Sequence, residues 1–118
     1  HTGWTKASDM IAKGLCSVLA SDYYYPAPLL AAFRLVADGI LPLPQAWRLI
    51  AAAPAEAAGL ADRGRLARGQ RADIILVDDR VPRRPQVVAV IAAGRLVHLT
   101  EPARLRGRVD DAPRATAA

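Results

Sequence analysis

Leu15-Cys16-Ser17-Val18-Leu19-Ala20 is a short, almost unbroken apolar run between two segments of helical period. It constrains the fold more than any other feature. Apolar residues without polar alternation over this length predict a strand covered on both faces, as in parallel sheets. Such a strand needs hydrogen-bonding neighbours on both sides. Nothing ahead of it in the sequence offers one, so partner strands are expected from chain that precedes these residues. The opening at His1, with no basic stretch leading into an apolar one, is unlike a secretory leader and supports the same expectation of a longer parent.

The flanks read as helices. Ala7, Met10 and Ile11 mark an amphipathic helix over Lys6–Lys13 that Gly14 ends, and Leu29, Leu30, Phe33, Val36 and Ala37 mark another over Ala27–Asp38 that Gly39 stops. Helix, strand, polar loop and helix make one slice of a parallel α/β layer. Leu41-Pro42-Leu43-Pro44 is a stiff link. A helix is expected from Pro44 or Gln45 to about Ala53, with Pro54 restarting a short one to Ala58 and Gly59 capping it. The period then changes to two. Asp73–Asp78, Gln86–Ala92 and Arg95–Leu99 predict strands, the last two joined as a hairpin through Ala93-Gly94. Beyond Thr100 no apolar period remains, which predicts a disordered tail.

Composition narrows the function classes. An apolar share of 53% over 118 residues excludes wholesale disorder and suits one modest core. Ser21-Asp22 cuts the first apolar run and Gly94-Arg95 cuts Val87–Ala93, well short of the ~18 residues a membrane span needs. The single cysteine, Cys16, excludes an internal disulfide and suits a reducing, cytoplasmic setting; its expected role is inert packing in the buried strand. The net charge of +5 comes almost wholly from Arg, since Lys6 and Lys13 are the two lysines. No aromatic residue interleaves with the Arg stretches as a nucleic-acid platform would require, so a solvated surface is expected and no nucleic-acid or membrane partner.

Candidate chemistry gathers after the apolar run. Ligand sites in α/β proteins lie at the carboxyl ends of parallel strands, and Asp22 sits two residues beyond this one. A carboxylate there has two readings: proton acceptor or metal ligand, or a cap, by Ser21 or Asp22, on the following helix. Tyr23, Tyr24 and Tyr25 either line a pocket or pack over that helix start. His1 and His98 are the histidines, and neither stands at a metal-ligand spacing from the other. Gly64-x4-Gly69 is followed by Gln70 and is no phosphate loop.

Ala53-Pro54-Ala55, Ala58-Gly59-Leu60, Asp62-Arg63-Gly64-Arg65-Leu66, the run Gly69–Asp78 and Val90–Val97 together resemble the carboxyl-terminal end of amidohydrolase-superfamily enzymes. Leu19–Pro26, Leu29-Leu30 and Leu43-Pro44-Gln45-Ala46 are similar to one branch, which removes diphosphate from a ribose 1-phosphonate 5-triphosphate in phosphonate catabolism. The resemblance covers about residues 1–99. It implies an α/β fold class: the last part of a (β/α)8 barrel over residues 1–58, then carboxyl-terminal strands of a small β-sandwich over 59–99, with the tail at 100–118.

By the same resemblance Asp22 is the aspartate after the eighth barrel strand, in contact with the metal and its bound water and serving as proton acceptor. Ser21 and Tyr23 or Tyr24 would line the substrate site, with His1 near it. The implied cofactor is a divalent metal ion (Zn, Mn or Mg). The implied partners are a small phosphorylated substrate and the amino-terminal portion of the same enzyme; a homo-oligomer is compatible with both. The metal-binding histidines of the superfamily fall outside these residues, so the polypeptide alone is expected to be inactive. Two alternatives stand beside this reading: another amidohydrolase acting on amide or amidine bonds of a cyclic substrate, and a non-catalytic basic binding module.

Overall fold

A computed structural model describes residues 6–100. Four helices, α1 (Ala7–Ala12), α2 (Ala27–Ala37), α3 (Leu43–Arg48) and α4 (Ala52–Ala57), precede three strands, β1 (Ile74–Asp78), β2 (Gln86–Ala92) and β3 (Arg95–Leu99). The expectations for His1 and for the tail beyond Thr100 lie outside the described residues.

Among the described residues, α1, α2 and α4 each end at a glycine. After α2, Gly39 takes φ +71° and its N–H donates to the Val36 carbonyl, while the Ile40 N–H donates to Leu35. This left-handed exit satisfies carbonyls the last turn would leave bare and turns Ile40 back toward the core. The same pair of bonds recurs at Gly14 and Gly59.

The core joins α1, α2 and α3. Ile11, Ala32, Leu35, Ala46 and Leu49 are buried together, with Leu19, Ile40 and Ile50 packed against them. Ala32 and Ala46 are both 0% exposed; such small side chains let α2 and α3 approach closely. Beside them Phe33 meets Trp47 edge-on, ring centroids 6.1 Å apart at 87°, a geometry the ring quadrupoles favour.

Two expectations need correction. The helix after the proline link was expected to run to about Ala53 and break at Pro54. It ends at Arg48, and α4 begins at Ala52 with Pro54 inside its first turn. The cause is the proline ring, which would clash with the carbonyl four residues earlier and lacks an N–H. The break therefore falls one turn ahead of Pro54, where the first-turn N–H groups have no helical partner anyway.

The larger correction concerns Leu15–Ala20. The described residues contain no strand there; apart from the Leu15 N–H, which closes the end of α1 on Met10, the segment's backbone tie is from the Leu19 N–H to the Leu49 carbonyl at 2.9 Å. Leu15 is 67% exposed, and no residue of the run is fully buried. Cys16 is half-buried and its thiol donates to the Val18 carbonyl at 3.3 Å. No neighbouring strand exists among residues 6–100 to accept this run into a ladder. Within those residues neither a barrel wall nor a second sandwich sheet is present.

The one sheet among the described residues is an antiparallel meander in the order β1-β2-β3. β1 and β2 pair from Ile74↔Ile91 to Asp78↔Gln86, and β2 and β3 from Ala92↔Arg95 to Ala89↔Leu99, each with one irregularity. The hairpin turns on Ala93 (φ +49°) and Gly94 (φ +78°). Positive φ at both central positions matches the right-handed twist of the strands. Asp73 braces this turn: its Oδ1 accepts the Ala93 N–H at 2.8 Å, while the Gly94 N–H donates to the Ala72 carbonyl. Ile75, Leu76, Leu96 and Val97 remain exposed on the sheet.

Candidate active site

The loop between the apolar run and α2 carries four of the five expected site residues. Ser21 is half-buried and its hydroxyl donates to the Tyr24 carbonyl at 2.5 Å. The same carbonyl accepts the Ala27 N–H at 3.0 Å. Pro26 occupies the cap position of α2, and no side chain caps that helix. The capping alternative for Ser21 or Asp22 is therefore not the one the chain adopts. Asp22 is exposed and joins no ion pair among the described residues.

The tyrosines do not pack over the helix start either. Tyr23 is 98% and Tyr25 90% exposed, with Tyr24 and Tyr25 tilted against each other at 6.5 Å. His98 lies on β3, its Nε2 2.8 Å from the Thr100 hydroxyl. Among the described residues no three His, Cys, Asp or Glu side chains come together to hold a metal ion. A catalytic metal wants about three protein ligands, so the described residues do not by themselves fit one; Asp22 offers a single carboxylate.

A well-formed concavity lies elsewhere. A groove of about 700 Å³ runs between the α3–α4 break and β1, lined by Trp47, Ile50, Pro54, Leu60, Leu66 and Ile74. Its size is that of a ligand pocket, but its chemistry is not. The charged groups at its rim are spent on ion pairs: Arg63 on Asp62, Arg65 on Glu56, Asp73 on Arg71. Asp22 and the tyrosines do not line it. Chemistry outweighs volume here, and the Ser21–Pro26 loop remains the candidate site.

Sequence reasoning missed the charged cluster beside the groove. Glu56 on α4 takes a two-pronged contact from Arg48 (2.9 and 3.2 Å) and a second partner in Arg65, joining α3, α4 and the segment before β1. The partners stand eight and nine residues away across a helix break and a loop, so no local spacing signals them. Hydrogen bonding from Arg48 holds the Glu56 carboxyl below its ordinary 4.5, and the nearby guanidinium charges pull the same way. A carboxyl lowered on folding stabilises the fold above its unfolded value and ceases to do so as pH falls through the folded one. The melting-temperature gap between the wild type and Glu56→Gln should therefore be small and constant from neutral pH down to about 4.5, then close on further acidification. Thermal melts between pH 7 and 2 test it; a gap that widens in acid contradicts it.

A sequence model of the Amidohydrolase family matches residues 9–98. The alpha-D-ribose 1-methylphosphonate 5-triphosphate diphosphatase of Escherichia coli (strain K12) is 47% identical over 79 residues, 64% of this chain and 21% of that enzyme. The adenine deaminase of Gluconobacter oxydans (strain 621H) is 49% identical over 65 residues, 55% of this chain and 11% of that enzyme. The adenine deaminase of Methylobacterium nodulans is 43% identical over 82 residues, 64% and 14% of the two chains. The chain thus spans about a fifth or less of the length of these curated relatives. No solved structure matches it.

Proposed function

The chain belongs to the amidohydrolase family, and from that membership we propose that it forms the carboxyl-terminal portion of a metal-dependent hydrolase that releases diphosphate from a ribose 1-phosphonate 5-triphosphate. Residues 1–58 would complete the catalytic barrel and residues 59–99 the smaller strand domain. The observation that carries the reading is the Ser21–Pro26 loop. It leaves an acidic side chain and an aromatic one exposed at its tip, committed neither to capping nor to packing. The 47% identity to the E. coli diphosphatase supports the choice of substrate.

In this reading Asp22 accepts the proton of the attacking water as the water oxygen bonds to phosphorus. The bond to the diphosphate oxygen breaks, diphosphate departs, and a 5-phosphate stays on the ribose. The Asp22 carboxylate joins no ion pair among the described residues and caps no helix, which leaves its oxygens open to accept. Tyr23 and Tyr24 offer ring faces to the sugar and phenol donors to phosphate oxygens. His1 is proposed near the site from the resemblance alone, being outside the described residues. Asp22 needs at least two further ligands for a divalent ion, and these are proposed to come from the amino-terminal portion.

The adenine deaminase relatives support a second reading, hydrolytic deamination of a cyclic amidine, in which Asp22 would again take up a proton. Product analysis separates the two. The complete enzyme carrying this segment should release diphosphate from the ribose triphosphate and no ammonia from adenine. Ammonia release without diphosphate release would give the deaminase reading its place. The 118-residue chain alone, supplied with Zn, Mn or Mg, should turn over neither substrate.

A further inference from the structure

The Ser21–Pro26 loop sorts its residues into fastened and free. Upstream, the Leu19 N–H is tied to the Leu49 carbonyl. Downstream, Pro26 enters the helix with φ −75°, and the Tyr24 carbonyl takes the Ala27 N–H. Across the loop, the Ser21 hydroxyl donates to that same Tyr24 carbonyl. Between these points Asp22 and Tyr23 form a two-residue tip, both exposed.

We infer that Ser21 is a positioning residue: its hydroxyl closes the loop on the Tyr24 carbonyl and presents the Asp22 carboxylate and Tyr23 ring as a pre-set pair, without contacting substrate. The inference rests on the reading of Asp22 as proton acceptor, and it replaces the expectation that Ser21 lines the substrate site. A serine hydroxyl has one proton to donate. Spent on Tyr24, it has none for a phosphate oxygen, and an ionised phosphate offers no proton to the lone pairs that remain. The closure fixes the tip before substrate arrives, and about 1 Å of misplacement at a reacting group can cost on the order of 100-fold in rate.

Two measurements test this. In the complete enzyme carrying this segment, with the ribose triphosphate as substrate, Ser21→Ala should lower kcat about 10- to 100-fold and leave KM within about twofold. Ser21→Thr, which keeps the hydroxyl, should restore kcat. A raised KM with unchanged kcat would make Ser21 a substrate ligand and overturn the inference, as would no change in either constant. In the same complete enzyme, nitrogen-15 relaxation should give Asp22 and Tyr23 amide order parameters near about 0.85, falling below about 0.6 in Ser21→Ala and recovering in Ser21→Thr. Equal order in wild type and Ser21→Ala would overturn the closure whatever the kinetics. Asp22→Asn should leave those order parameters unchanged, so retained turnover in that variant defeats the Asp22 reading and not the closure.

Discussion

Asp22→Asn in the complete enzyme carrying this segment is expected to lower kcat by about 10²- to 10⁴-fold, the range for losing a positioned general base. The amide matches the carboxylate in size, and the wild-type side chain is exposed and makes no ion pair among the described residues. Folding should therefore be untouched, with the melting temperature held within about a degree or two, as for surface substitutions away from special features. A matched loss of kcat and kcat/KM would place the interaction in the transition state. The reading fails if Asp22→Asn retains most of the wild-type rate.

Gly64→Ala is expected to be the most damaging small substitution for the fold. Gly64 has φ +93°, and a Cβ there would stand 2.9 Å from the Ala55 Cβ and 3.1 Å from both the Ala51 carbonyl oxygen and the Ala52 Cα. Two of those three neighbours are backbone atoms of the segment that starts α4, which cannot rotate aside. Left-handed backbone costs an L-residue roughly 1–2 kcal/mol, and forced overpacking adds about 1–3 kcal/mol. The sum, about 2–5 kcal/mol, is a large share of the stability of a domain this size. Gly69→Ala is the control. Its φ is +82° but nothing lies within 4 Å of the added carbon, so it should show the backbone cost alone. Urea denaturation compares the two midpoints; equal shifts would mean that the close approach is relieved at no cost.

Sequence reasoning located what local chemistry decides. The three strands fall on their alternating segments, and Gly14, Gly39 and Gly59 end helices because left-handed exits favour glycine. The Ala93-Gly94 turn was legible for the same reason. Reasoning stopped where partners are distant. The period of Leu15–Ala20 reports that the run is apolar, not whether strands stand beside it. Glu56 finds Arg48 and Arg65 through the fold, and Gly64 is needed because α4 passes close by, which no neighbour in the sequence announces. Within the candidate site, Asp22 and the tyrosines stood out by type and position. The engagement of Ser21 did not, since serine in a loop has many local partners open to it.

The interruption ahead of Pro54 has an effect that reaches past its own helices. Were α3 and α4 continuous, the Leu49 carbonyl would accept the Ala53 N–H inside the rod. Because the rod is severed there, that oxygen accepts the Leu19 N–H instead. The acid three positions on is thus anchored by an imino acid more than thirty residues away, and straightening the severed rod would cast the acidic tip adrift.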